Sequence, residues 1–130
     1  MSGSYSNNQG VASGAIPGWI VPGPGGAGWT PRAATASAIT TGGTAVTVLT
    51  GVINGGYIYN PLTAAEQKIA TAEPLYIDMV GTPLSTAAGG NGTTLTLAPG
   101  AGYQLPAIAS TVTLKANAAT SAHAFTVFVW

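Results

Sequence analysis

The sequence predicts an all-β domain, a single β-sandwich of jelly-roll or Ig-like topology over residues 32–130, preceded by an extended Gly/Pro-rich arm at 1–31. Three observations carry that expectation. Short runs rich in Thr, Val, Leu and aromatic residues recur through the chain, each closed by Gly, Pro or Asn, which is the pattern of consecutive strands joined by turns. A helical signal is confined to one place. The chain has no cysteine, so packing and backbone ladders must hold the fold without disulfides or thiolate metal sites.

The elements follow in order. Residues 1–31 carry no charged side chain but hold eight of the nineteen glycines and four of the nine prolines. Ser2 to Gly14 reads as a flexible polar start. Pro17 to Pro31 (PGWIVPGPGGAGWTP) blocks helix and ladder alike, leaving an extended path with glycine bends. Trp19, Ile20, Val21 and Trp29 within it are costly to leave in water, so the arm is expected to anchor through them on its own domain or on a neighbour. A small-residue strand is expected at 34–41, turned by Gly42-Gly43. Thr44 to Thr50 gives the next, with Val46 and Val48 on one face and Thr47 and Leu49 on the other. Asn54-Gly55-Gly56 is a tight-turn signal, which makes 44–50 and 56–60 a hairpin.

Asn60-Pro61 breaks that strand. Thr63 followed by Glu66 fits a capping box, and one or two turns of helix are expected within 63–72, closed before Pro74. Further strands are expected at 75–80, 93–98, 102–105, 111–117 and 124–130. The block from Asn91 to Trp130 is the most strongly patterned part of the chain, and Trp130 marks its last strand as a packed one.

Charge narrows the function. Arg32, Glu66, Lys68, Glu73, Asp78 and Lys115 are the whole charged set, 5% of the chain with zero net charge. About 25% is usual. No electrostatic footprint for nucleic acid or an anionic membrane exists. A surface so poor in charge does not repel its neighbours, so the domain is expected to associate with partners and with itself as a dimer or trimer. No secretory signal and no membrane-spanning run is read, so synthesis in a cytoplasm is expected.

Candidate chemical sites are sparse. Gly23, Gly25 and Gly28 spell a dinucleotide-type fingerprint, but Pro22 and Pro24 interrupt its strand, Pro31 blocks its helix, and no acid follows at 43–50. Glu66, Glu73, Asp78 and His123 show no metal-ligand spacing, and His123 is expected to bond backbone at a strand end. Ser121 lies two residues from His123 without an orienting third group. Asn91-Gly92-Thr93 matches a glycosylation sequon but reads as a turn. Lys115 marks a solvent face or an edge strand. Tyr57, Tyr59, Tyr76, Tyr103, Phe125 and Phe128 are core or interface residues, with a sugar-stacking platform as the sharper alternative. No catalytic residue, metal or cofactor is expected, and the chain is read as a non-enzyme.

Asn91-Gly92-Thr93-Thr94, Leu97-Ala98-Pro99-Gly100, Leu105-Pro106 and His123 to Trp130, with Asn54-Gly55-Gly56-Tyr57, Asn60-Pro61 and Glu73-Pro74-Leu75-Tyr76 upstream, carry a resemblance over residues 54 to 130. They resemble the capsid decoration, or cement, proteins of tailed bacteriophages, which are small β-rich proteins bound in many copies outside the head. The resemblance implies a structural protein of the virion exterior, made in the host cytoplasm, whose partners are the major capsid protein and copies of itself. A receptor- or glycan-binding module of a fibre or spike is the alternative. Those residues supply no ligand set and no cofactor.

Overall fold

The structure, a computed structural model, describes residues 30–84 and 92–130. Among them are seven short strands and one turn of helix. They run β1 (Val46–Leu49), β2 (Gly56–Tyr59), α1 (Ala64–Gln67), β3 (Leu75–Asp78), β4 (Leu95–Leu97), β5 (Gly102–Leu105), β6 (Leu114–Asn117) and β7 (Thr126–Val129). Each strand lies inside a span that the residue pattern predicts. The strands form two wholly antiparallel sheets, one in the order β1-β6-β3-β4 and the other β5-β2-β7. The domain is all-β.

One apolar cluster draws on both sheets. Ile58, Leu105 and Val129 come from the three-stranded sheet, and Val48, Leu75, Ile77, Leu97 and Leu114 from the four-stranded one. Strand alternation supplies most of these, because every second side chain points inward. In β1 the alternation fails. Thr47 faces Lys115 and Leu49 faces Leu114, so the register slips between them, and the bulge lets both Val48 and Leu49 be buried. The expected split of Val48 from Leu49 onto opposite faces is therefore corrected.

Two further expectations are overturned and a third, Lys115 on a solvent face or an edge, is narrowed to the solvent face. Residues 34–41 form no strand. Arg32 and Ala38 make isolated bridges to Val129 and Ala124, so the segment runs along the C-terminal strand with breaks in its ladder. Asn54-Gly55-Gly56 does not turn a hairpin, since β1 and β2 belong to different sheets. The glycines serve a close approach instead. The Asn54 amide donates to the Trp130 carbonyl and the Trp130 amide donates to Gly55. A Cβ on Gly56, whose φ is +150°, would lie 2.2 Å from the Phe128 carbonyl oxygen. Lys115 is not on an edge either, because β6 lies between β1 and β3, with Thr47 and Asp78 opposite it.

The helix forms as its cap predicts. The Thr63 hydroxyl accepts from the Glu66 amide, and the Glu66 carboxylate accepts from the Thr63 amide. Lys68 then turns left-handed at φ 62° and ends it after one turn.

Candidate functional site

Two features stand out, an outward aromatic face and a buried polar node. The face belongs to the three-stranded sheet. Alternation turns Ile58, Leu105 and Val129 inward and sends Tyr57, Gln104 and Phe128 outward. Tyr57 sits directly between Gln104 and Phe128 across the sheet. The Tyr57 and Phe128 rings lie 6.1 Å apart and tilted by 48°, and Phe128 and Trp130 lie 5.8 Å apart at 58°. Both separations fall in the favourable range for aromatic pairs. Tyr57 is 46% exposed and Phe128 37%. Tyr59 and Thr126 extend the same face by one strand step. The row carries no charged side chain and lies on the outward side of the three-stranded sheet.

The polar node gathers residues from four separate segments. Asn60 follows β2, Gln67 ends α1, Glu73 precedes β3, and Thr120 and His123 sit in the turn before β7. The His123 ring is fully buried. Its Nδ1 lies 2.9 Å from Glu73 Oε1 and its Nε2 lies 2.9 Å from Asn60 Oδ1. The Asn60 amide is oriented by its own bonds, since Nδ2 donates to the carbonyls of Glu73 and Leu97 while Oδ1 accepts from Gln67 Nε2. Gln67 also donates to the Pro61 carbonyl and accepts from the Glu73 amide. The Glu73 carboxylate accepts from the Thr120 amide and hydroxyl as well.

Burial alone would push the Glu73 carboxyl up. The hydrogen bonds from His123 and Thr120, with the attraction of His123, outweigh it and hold the carboxyl below its ordinary value. Both imidazole nitrogens are engaged in the interior, so this histidine ties segments together and offers no nitrogen to an incoming molecule. The expectation that His123 bonds backbone is corrected, because its ring meets the side chains of Glu73 and Asn60. Only its main chain bonds backbone, the amide donating to Thr120 and the carbonyl accepting from Ile39, while its side chain reaches Glu73 fifty positions away. No spacing in the sequence announces that pair.

Asp78 closes a second, smaller network. Its side chain accepts from the amides of Val80 and Gly81 and from the hydroxyls of Thr93 and Thr94, joining the end of β3 to the approach to β4. Burial opposes its ionisation, but the Gly81 and Val80 amides and then the two threonines hold it far below the usual carboxylate range. Ser121 accepts from the Gly42 amide, which gives it a structural partner. Glu66 stays at the helix cap. Among the described residues no group of three or more His, Cys, Asp or Glu could hold a metal ion, and no helix is long and apolar enough to cross a membrane.

The predicted arm anchors Trp19, Ile20, Val21 and Trp29, the glycines at 23, 25 and 28, and Asn91 of the sequon lie outside the described residues. The aromatic face was only partly legible in the sequence. Tyr57 and Phe128 are named there as core or interface residues, but their meeting across β2 and β7 depends on the pairing of distant strands. No family model, no curated protein and no solved structure matches the chain.

Proposed function

We propose that the chain is a structural virion protein that decorates and stabilises a phage capsid as cement, bound to the major capsid protein and to copies of itself. The observation that supports this best is the uncharged row of Tyr57, Phe128 and Trp130 on the outward side of the three-stranded sheet, with Tyr57 and Phe128 exposed. Broad apolar faces suit protein contact, whereas small ligands are held in concave sites. The scarcity of charge agrees, because such a surface gains by being covered. On this reading the chain is not an enzyme and needs no cofactor, nucleic acid or membrane.

The same reading extends to the architecture. We take the two sheets to pack as one sandwich. Pairing of β1 with β6, β2 with β5 and β3 with β4 is nested, as in a long hairpin rolled on itself, and that supports the jelly-roll topology over the Ig-like one. An Ig-like sheet keeps the first and second strands together. Here they lie in different sheets.

The test is occupancy. Particles lacking the protein are mixed with the recombinant chain, and bound copies are counted by gel densitometry and located in a density map. Saturable decoration of the exterior is expected, reduced at least about tenfold by Tyr57→Ser with Phe128→Ser while the melting temperature moves by only a few degrees. Undiminished decoration by that variant would remove the face from the reading. Absence of decoration beside competable binding of a soluble glycan would replace it with the receptor-binding alternative.

A further inference from the structure

We propose that the outward face of the three-stranded sheet is the seat of this chain's own N-terminal arm, with the Trp19-Ile20-Val21 segment and Trp29 laid against Tyr57, Phe128 and Trp130. The placement stands on the structure and sequence alone. That the composite of arm and sheet then meets a capsid rests on the reading above.

The first ground is where the arm joins. The Arg32 amide donates to the Val129 carbonyl at 2.9 Å, and the two residues form an antiparallel bridge. In an antiparallel pair, chain upstream of Arg32 passes beside residues downstream of Val129. The arm therefore leaves the domain beside Trp130, at the end of the aromatic row. The Arg32 guanidinium donates to the Val52 and Thr50 carbonyls, which fixes the junction.

Reach is the second. The row is short, two ring-to-ring steps of 5.8 and 6.1 Å. Trp29 is three residues from Arg32, a tether of up to about 10 Å, and Trp19 is thirteen away, up to about 45 Å. The Trp29 tether covers one ring-to-ring step, and the Trp19 tether exceeds the whole row.

Chemistry is the third. The face presents aromatic rings without a charged side chain, and residues 1–31 contain two tryptophans, Ile20 and Val21 without a charged side chain. Neither surface loses ionic solvation on contact, and aromatic packing rewards both. Proline and glycine deny the arm a helix or ladder of its own, so its apolar side chains are buried only against something else. Tethering decides the occupant. A segment held a few residues from its seat has an effective concentration near millimolar, which outcompetes the arm of a second copy at micromolar protein.

The experiment uses the full chain. It has no cysteine, so Ala27→Cys takes a single nitroxide label. In uniformly ¹⁵N-labelled protein the amide signals of Tyr57, Gln104 and Phe128 and the Trp130 indole are expected to lose at least half their intensity. Those of β4, at the far edge of the other sheet, are affected less. Trp19→Ala with Trp29→Ala in the labelled chain should restore the lost intensity at least twofold. A mixture of spin-labelled unenriched chain and ¹⁵N-enriched cysteine-free chain separates the sources. Comparable broadening in the mixture would place a neighbour's arm on the face and overturn the proposal, as would full intensity in both samples. Particle occupancy is measured separately, so failure of the virion reading leaves this result untouched.

Discussion

Replacing His123 with leucine removes the centre of the buried node while nearly keeping its volume, so the cost is electrostatic and not a cavity. The ring is fully buried and makes two side-chain contacts of 2.9 Å, to Glu73 and Asn60. Hydrogen bonds involving a charged group are worth about 1.5–3 kcal/mol each, and breaking a buried pair from one side costs about 3–5 kcal/mol. Here Asn60 keeps Gln67 and Glu73 keeps Thr120, and the Glu73 side chain is 16% exposed, so water recovers part of the loss. About 2–4 kcal/mol is expected, which for a domain of roughly 100 residues lowers the melting temperature by about 8–30 °C. Urea unfolding at pH 7 measures it. The pH dependence gives a second readout. Folded Glu73 binds its proton more weakly than the unfolded chain does, so its contribution is present above the ordinary value of 4.5 and is lost as pH falls through the lowered folded value. His123→Leu removes two of the contributions that lower it, so that part of the acid slope should flatten. A loss under about 1 kcal/mol with an unchanged acid slope would refute the reasoning.

Four other outcomes follow from named residues. Asp78→Ala deprives two amides and two hydroxyls of their acceptor. It should cost about 2–4 kcal/mol by urea midpoint and remove stability that the wild type loses only below the ordinary value of 3.8. Thr63→Ala breaks the capping box and should cost about 1 kcal/mol, seen as a fall of about 4–8 °C by calorimetry. Gly56→Ala puts a methyl group 2.2 Å from the Phe128 carbonyl oxygen, so about 3 kcal/mol or more is expected as β2 and β7 are forced apart. Gly92→Ala, with φ +74° but nothing within 4 Å, should cost only about 1–2 kcal/mol. Equal melts for the two glycine variants would contradict that ranking.

The class of the fold and most of its punctuation are legible in local residue pattern. Short β-rich runs closed by Gly, Pro or Asn mark β1 through β7, and the Thr63–Glu66 spacing marks the helix, because strand propensity, turn chemistry and capping act over a few residues. Gly102–Leu105 is located to the residue. What tertiary structure decided is which segments meet. Asn54-Gly55-Gly56 has the composition of a hairpin turn, yet its glycines make room for Phe128 and Trp130, which approach from the other end of the chain. Residues 34–41 have the small, β-tolerant composition of a strand, but Arg32 and Ala38 find only isolated partners along the C-terminal segment. Glu73 and His123 look unrelated at fifty positions apart, and Tyr57 and Phe128 at seventy-one. Each pair forms because antiparallel strands distant in sequence are zipped together by a shared apolar core, and no local spacing encodes that register.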